Sequence, residues 1–162
     1  MKNHAFKRRM WIIPVIINTV IFILLSILHF YWAFGGKVWY DDVLPTSSNG
    51  LNKLNPSTTA SLIIAFGLLF LALVMIGNQG FFDRYIKRKY FRYGALAIGV
   101  LFLLRAIGDF RFIGFFKTVK STRFGINDTQ FFSPLCLFIA LLSILIFIFN
   151  SNSNNIIETT KV

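Results

Sequence analysis

The sequence predicts an all-α fold, a transmembrane four-helix bundle, and three observations carry that prediction. Of 162 residues, 56% are hydrophobic and 14% charged, against about 25% charged in an average soluble domain. The mean hydropathy is +0.66. The apolar residues fall into four runs, each long enough, at about 1.5 Å per residue, to cross a hydrocarbon core about 30 Å thick. Many Ile, Val and Phe in these runs favour strands. The runs do not alternate as barrel strands do, however, and backbone in lipid must satisfy its own hydrogen bonds, so they are helices. This composition excludes a disordered or collagen-like chain, and the one Cys excludes a disulfide scaffold. Lys and Arg number 17 against 6 Asp and Glu, a formal charge of +11. These basic residues sit between apolar runs rather than on a polar surface, so no nucleic-acid partner is expected and the lipid bilayer is.

The first span runs from Trp11 to about Phe34, broken only by Asn18, Ser26 and His29. Its basic start suits a signal peptide. Its apolar part exceeds the usual length of about 7–15 residues and no small-x-small site follows, so it reads as a retained span. The second runs from about Thr58 to Ile76, with Ser57 or Thr58 as cap after Pro56. The third, about Tyr93 to Phe110, carries Arg105 and Asp109 near its end, and its Ala95 and Gly99 admit a close neighbour. The fourth, about Phe132 to Phe149, opens with Ser133 as cap and Pro134 in its first turn. Residues 150–162 form a short polar tail expected to fray. No repeat or linker divides the chain, which reads as one integral membrane domain.

Lys and Arg in the connections set the orientation. The N-terminal tail has Lys2, Lys7, Arg8 and Arg9; the second loop has Arg84, Lys87, Arg88, Lys89 and Arg92; the tail adds Lys161. The first loop has Lys37 and Lys53 against Asp41 and Asp42, and the third has Arg111, Lys117, Lys120 and Arg123 against Asp128. Ten against six predicts cytoplasmic N- and C-termini. Trp11, Tyr85, Tyr90 and Tyr93 mark the inner interface, and Tyr31, Trp32, Trp39 and Tyr40 the outer one.

The polar residues in the spans are the candidate functional groups. Asn18 and His29 are three helical turns apart and share a face. Each either makes an interhelical hydrogen bond or, for His29, titrates or binds a ligand. Arg105 and Asp109, four apart, pair along the helix, or else Arg105 joins His29 as a cationic site for a carboxylate, phosphate or lipid headgroup. In the third loop, Phe112 to Phe116 followed by Lys117 and Lys120 read as a segment lying in the interface. Asp128 is open to a capping role or to pairing with a cation from another loop. Cys136 reads as an inert buried thiol. No His, Cys or carboxylate group has metal-ligand spacing and no Gly-rich phosphate loop is present, so no metal or cofactor is expected. No Asp or Glu lies at mid-span, which weighs against a proton- or sodium-coupled carrier.

The stretch His29-Phe-Tyr-Trp32-Ala-Phe-Gly35-Gly36 resembles the His-x-x-Trp-x-x-Gly-Gly signature of a bacterial membrane family, domain of unknown function 3995. Phe124-x-x-x-Asp128-x-x-x-Phe132-Ser-Pro-Leu-Cys136 is similar to that family's second signature, and Arg105-Ala-Ile-Gly108 to its Arg-x-x-Gly element. The resemblance covers nearly the whole chain and implies a four-span protein of the cell membrane with no assigned activity. It places His29, Trp32, Arg105, Asp128, Ser133 and Pro134 at the outer ends of spans one, three and four. With Asp109, these residues make the expected binding cluster, either a pocket or a structural clasp.

The expected function is a non-enzymatic module that binds a lipid, an anionic small molecule or a membrane protein partner through that outer cluster. The alternative is a small-molecule carrier or permeation path formed as a homo-oligomer. A third reading is a lipid-modifying membrane enzyme with His29 as base and Arg105 as oxyanion partner.

Overall fold

The computed structural model describes residues 2–44 and 56–159, with backbone alone at residues 2–11, 41 and 151–159. Expectations about Lys53 and Lys161, and about the side chains of Lys2, Lys7, Arg8, Arg9, Trp11 and Asp41, lie outside the described residues. The elements are helical throughout: α1 (Lys2–Ala33), α2 (Tyr40–Val43), α3 (Thr58–Gly77), α4 (Arg88–Ile107), α5 (Arg123–Asn127), a π-helical turn (Asp128–Phe132) and α6 (Ser133–Thr159). Four segments are long and apolar enough to cross a membrane: Ile12–Ala33, Thr58–Gly77, Arg88–Ile107 and Arg123–Asn150. The chain is an all-α four-helix bundle of membrane type.

α1 lies along α3 and α4 along α6; contacts of α1 with α6 and of α3 with α4 close the ring. The core is apolar at Phe22, Met75, Ala95 and Ile139, all fully buried. Phe22 of α1 meets Phe102 of α4 at 5.5 Å between ring centres. The small face of α4 admits α6: a Cβ at Gly99 would stand 2.8 Å from Ile144 Cγ1. The outside is apolar too, with Ile16, Leu24, Ile63, Phe70, Leu101 and Leu141 all exposed. Polar residues are turned inward instead, which is the distribution lipid favours over water.

Three inward polar groups each tie one level of the bundle. At mid-span, Asn18 Nδ2 donates to Ser143 Oγ at 2.9 Å, joining α1 to α6. Ser26 Oγ donates to the Ala65 carbonyl at 2.8 Å, joining α1 to α3. At the end shared by the chain termini, Asn78 Nδ2 donates to the carbonyls of Val74 and Phe91, and Asn150 Nδ2 donates to Asn78 Oδ1 at 3.0 Å. The opposite end carries the first and third loops, which meet where Asn127 Nδ2 donates to the Asp42 carbonyl at 3.4 Å.

The fourth span departs most from expectation. Helix begins at Arg123, capped by Thr122 Oγ1, which accepts from Gly125 N at 3.0 Å. It runs without a break to Thr159. Elongating an existing helix adds a hydrogen bond per residue and needs no new nucleus. Ser133 is therefore not a cap. Pro134 removes a backbone donor, and its ring would crowd the carbonyl four residues back. The chain answers by widening: Ser133 N reaches the Asp128 carbonyl five residues back, and the turn is π-helical. The third span also shifts, to Arg88–Ile107, because Gly108 at φ 95° ends it.

Candidate functional site

Asp128 is the centre of the loop-bearing end. It is fully buried. Its Oδ1 accepts from Arg105 Nη2 at 2.8 Å. Its Oδ2 accepts from Lys117 Nζ at 2.9 Å, the Gly114 amide at 2.8 Å and Ser133 Oγ at 3.1 Å. The cluster joins α4, the third loop, the π turn and α6 through one carboxylate. Lys117, also fully buried, further donates to the Gly114 carbonyl at 3.1 Å and to Thr129 Oγ1 at 2.6 Å. Thr129 Oγ1 in turn donates to the Gly125 carbonyl at 3.0 Å.

The third loop is folded to deliver these groups. Gly108 and Gly114 have φ of 95° and 90°, and their backbones touch, so that a Cβ on Gly108 would overlap the Ile113 carbonyl. Between them Asp109 Oδ1 accepts from the amides of Arg111, Phe112 and Ile113 at 2.9, 2.7 and 2.9 Å. Desolvation pushes its carboxyl up, but the backbone donors of Ile113, Phe112 and Arg111 outweigh it and hold Asp109 below the usual carboxylate range.

One expected arrangement is corrected here. Arg105 and Asp109 do not pair, because the helix stops at Ile107 and the turn carries Asp109 off the Arg105 face. The segment from Phe112 to Lys120, expected to lie in the interface, turns its two lysines different ways. Phe115, Phe116 and Lys120 are exposed, but Lys117 is turned wholly inward onto Asp128.

The expected outer cluster is thus brought together in part. Arg105, Asp128 and Ser133 meet, while Asp109 organises the adjoining turn. His29 hydrogen-bonds to neither Arg105 nor Asp128. Its Nδ1 donates to the Leu25 carbonyl at 2.8 Å and its ring meets Trp32 edge-on at 5.0 Å. Trp32 Nε1 donates to the Val38 carbonyl at 2.9 Å, folding the chain back after α1, and its ring lies 6.1 Å from that of Tyr40. Trp32 and Tyr40 wall a pocket of about 540 Å³ between the end of α1 and the start of α3, where Lys37, Ser57, Thr58 and Ser61 also line it. Sequence reasoning missed Lys117 and Thr129 as members of the ionic cluster and Lys37 and Ser61 as pocket residues. A lysine inside an apolar segment, Gly-Phe-Phe-Lys117, was the available signal.

Among the described residues no three His, Cys, Asp or Glu side chains gather as a metal site. Cys136 is a free, buried thiol. Asp128 accepts three hydrogen bonds at Oδ2 and one at Oδ1, and Lys117 has donated all three N–H groups. Arg105 differs: among the described residues it gives one hydrogen bond of a possible five and its Nη1 is buried without a partner, and its side chain is 31% exposed.

Neither the curated proteins nor the solved structures provide a match. A family profile does match, over residues 22–143, a stretch that holds His29, Trp32, Arg105, Asp109, Asp128 and Ser133. The chain belongs to the family described as protein of unknown function DUF3995.

Proposed function

We propose that this protein is a non-enzymatic module of the cell membrane that holds an anionic headgroup, carboxylate or phosphate, against Arg105 at its loop-bearing rim. That rim faces the exterior, with both termini cytoplasmic. The observation that carries the reading is the charge and donor count of the ionic cluster. Two cations, Arg105 and Lys117, share one carboxylate, Asp128. A surplus positive charge in a low-dielectric setting is costly unless an anion accompanies it. The C-terminal end of α4 offsets part of that charge, since its unsatisfied carbonyls favour a cation. The unused donors all belong to Arg105, the one member of the three with exposed surface. Leu101 and Leu104, exposed on the same helix, supply an apolar wall for the acyl chains of such a ligand.

Two features weigh against the other readings. His29 lies elsewhere, Ser133 is fully buried, and the carboxylate its hydroxyl meets already accepts from Arg105, Lys117 and the Gly114 amide, which makes Asp128 a poor base for it. The inward polar groups Asn18, Ser26 and Asn78 are separated by Phe22 and Met75, which interrupts a polar route through one chain. The test is native mass spectrometry of the full chain purified from membranes. The unaltered protein is expected to retain anionic phospholipid several-fold more than Arg105→Gln at matched folding, judged by thermal melting. Equal retention by the two would discard the proposal.

A further inference from the structure

The end of the bundle that carries both termini holds a group of cations separate from the Asp128 cluster. The second loop, residues 78–87, and the first turns of α4 contribute Arg84, Lys87, Arg88, Lys89 and Arg92. Asp83 is the one carboxylate at this end among the described side chains, since Asp42, Asp109 and Asp128 stand at the opposite end. It is taken up by Arg88, which donates to it from Nε and Nη2. Arg84, Lys87 and Lys89 are exposed, and none of them meets a carboxylate among the described residues.

Aromatic rings are interleaved with these cations. Arg84 Cζ lies 6.0 Å from the ring centre of Tyr85, Lys89 Nζ 5.3 Å from that of Tyr90 and Arg92 Cζ 5.6 Å from that of Tyr93. Arg92 also lies over Phe147, 4.7 Å from its ring centre, which holds the guanidinium against α6. There its Nε is buried and has no partner among the described residues. Phe81 and Tyr85 are 75% and 81% exposed, and Ile86 is exposed as well. A surface that mixes large exposed rings with unpaired cations marks an interaction site. The boundary of a bilayer matches it, because rings sit at headgroup depth there and phosphates supply the missing negative charge.

From these features we infer that the second loop and the first turns of α4 form a docking surface for anionic phospholipid headgroups. Arg92 is its fixed point, and Arg84, Lys87 and Lys89 are its outer cations. Charge complementarity selects anionic over zwitterionic lipid. Position selects lipid over an acidic protein: the surface begins where the spans Thr58–Gly77 and Arg88–Ile107 end, at the depth of the headgroups. The attraction falls off within a Debye length, about 8 Å at physiological salt, so it acts on headgroups in contact. The inference does not depend on the Arg105 reading. Being open to the bilayer, this surface exchanges its lipids freely, whereas the Arg105 site is read by what survives purification.

The full chain is reconstituted in phosphatidylcholine bilayers of equal composition in both leaflets, so that either orientation reports. A trace of spin-labelled phosphatidylglycerol or spin-labelled phosphatidylcholine is added, and the motionally restricted fraction gives the relative association of each with the protein. Phosphatidylglycerol is expected to be preferred about threefold at low salt, a preference that vanishes at about 1 M salt, where charges are screened beyond about 3 Å. The triple variant Arg84→Gln/Lys87→Gln/Lys89→Gln, at exposed positions that leave the core intact, is expected to lose most of it. Arg92→Met, which keeps the contact with Phe147 and removes the charge, is expected to lose part of it, and Arg105→Gln to leave it largely unchanged. No preference in the unaltered protein, an unchanged preference in both loop variants, or a loss in Arg105→Gln alone overturns the inference. So does binding of polyglutamate by the detergent-solubilised chain without any lipid preference, which would assign the surface to an acidic protein.

Discussion

Asp128 and Lys117 are both fully buried, and their value to the protein is asymmetric. Without the carboxylate, two cations face each other across a dry site; without the lysine, Asp128 keeps Arg105, the Gly114 amide and Ser133 as donors. Removing one partner of a buried pair costs about 3–5 kcal/mol when it strands a charge. Asp128→Ala is therefore expected to lose about that much stability, Lys117→Met clearly less, and the double variant to recover part of the Asp128→Ala loss. Unfolding by SDS titration in mixed micelles measures all three. Strict additivity would mean that the two groups are not coupled. The spacing of four between Arg105 and Asp109 pointed to a pair that the structure does not form. The true partner is 23 positions away, and only the fold of the loop brings it close.

At the level of elements, the turn from Gly108 to Gly114 is a small device built on one carboxylate. Because Asp109 is held below the usual carboxylate range, its contribution is whole above its unfolded value of about 3.9 and is lost as pH falls through its lower folded value. Asp109→Asn is expected to flatten the acid side of the melting temperature between about pH 5 and about pH 3. A variant whose acid limb matches that of the unaltered protein would place the titration elsewhere.

The helices themselves were legible, because lipid demands long apolar runs and leaves little else to read. Their ends were less so. Gly108, singled out only as part of the Arg-x-x-Gly element, fell inside a third span expected to reach Phe110, and Ser133-Pro134 looked like a helix start, since proline usually stands there. The Asn78–Asn150 bond was also unread, though both residues are buried, because it joins helices through pairings that no local spacing encodes.

For the molecule as a whole, the burial of Lys117 sharpens the charge contrast between its two ends. That lysine counted toward the basic character of the third loop, yet its charge is taken up by Asp128. The exposed basic residues Lys87 and Arg84 of the second loop stand at the other end. A protein freed of its single Cys by Cys136→Ala, then given Lys120→Cys or Lys87→Cys, reports its orientation through a membrane-impermeant maleimide applied to intact cells. Labelling at position 120 but not at 87 is the expected result; the reverse pattern would invert the proposed orientation.

The π turn at Asp128–Phe132 bears on how this architecture tolerates change in length. It holds one residue more than an α-helix would fit into the same rise. Deleting one residue there lets the turn close to an α-helix and leaves the flanking segments near their present phase, whereas a deletion between Ser133 and Ser143 would swing everything beyond it by about 100° about the helix axis. Ser143 would then lose its heading toward Asn18 while Ser133 kept its own toward Asp128. The slack in length that the span can absorb is thus held at this one joint.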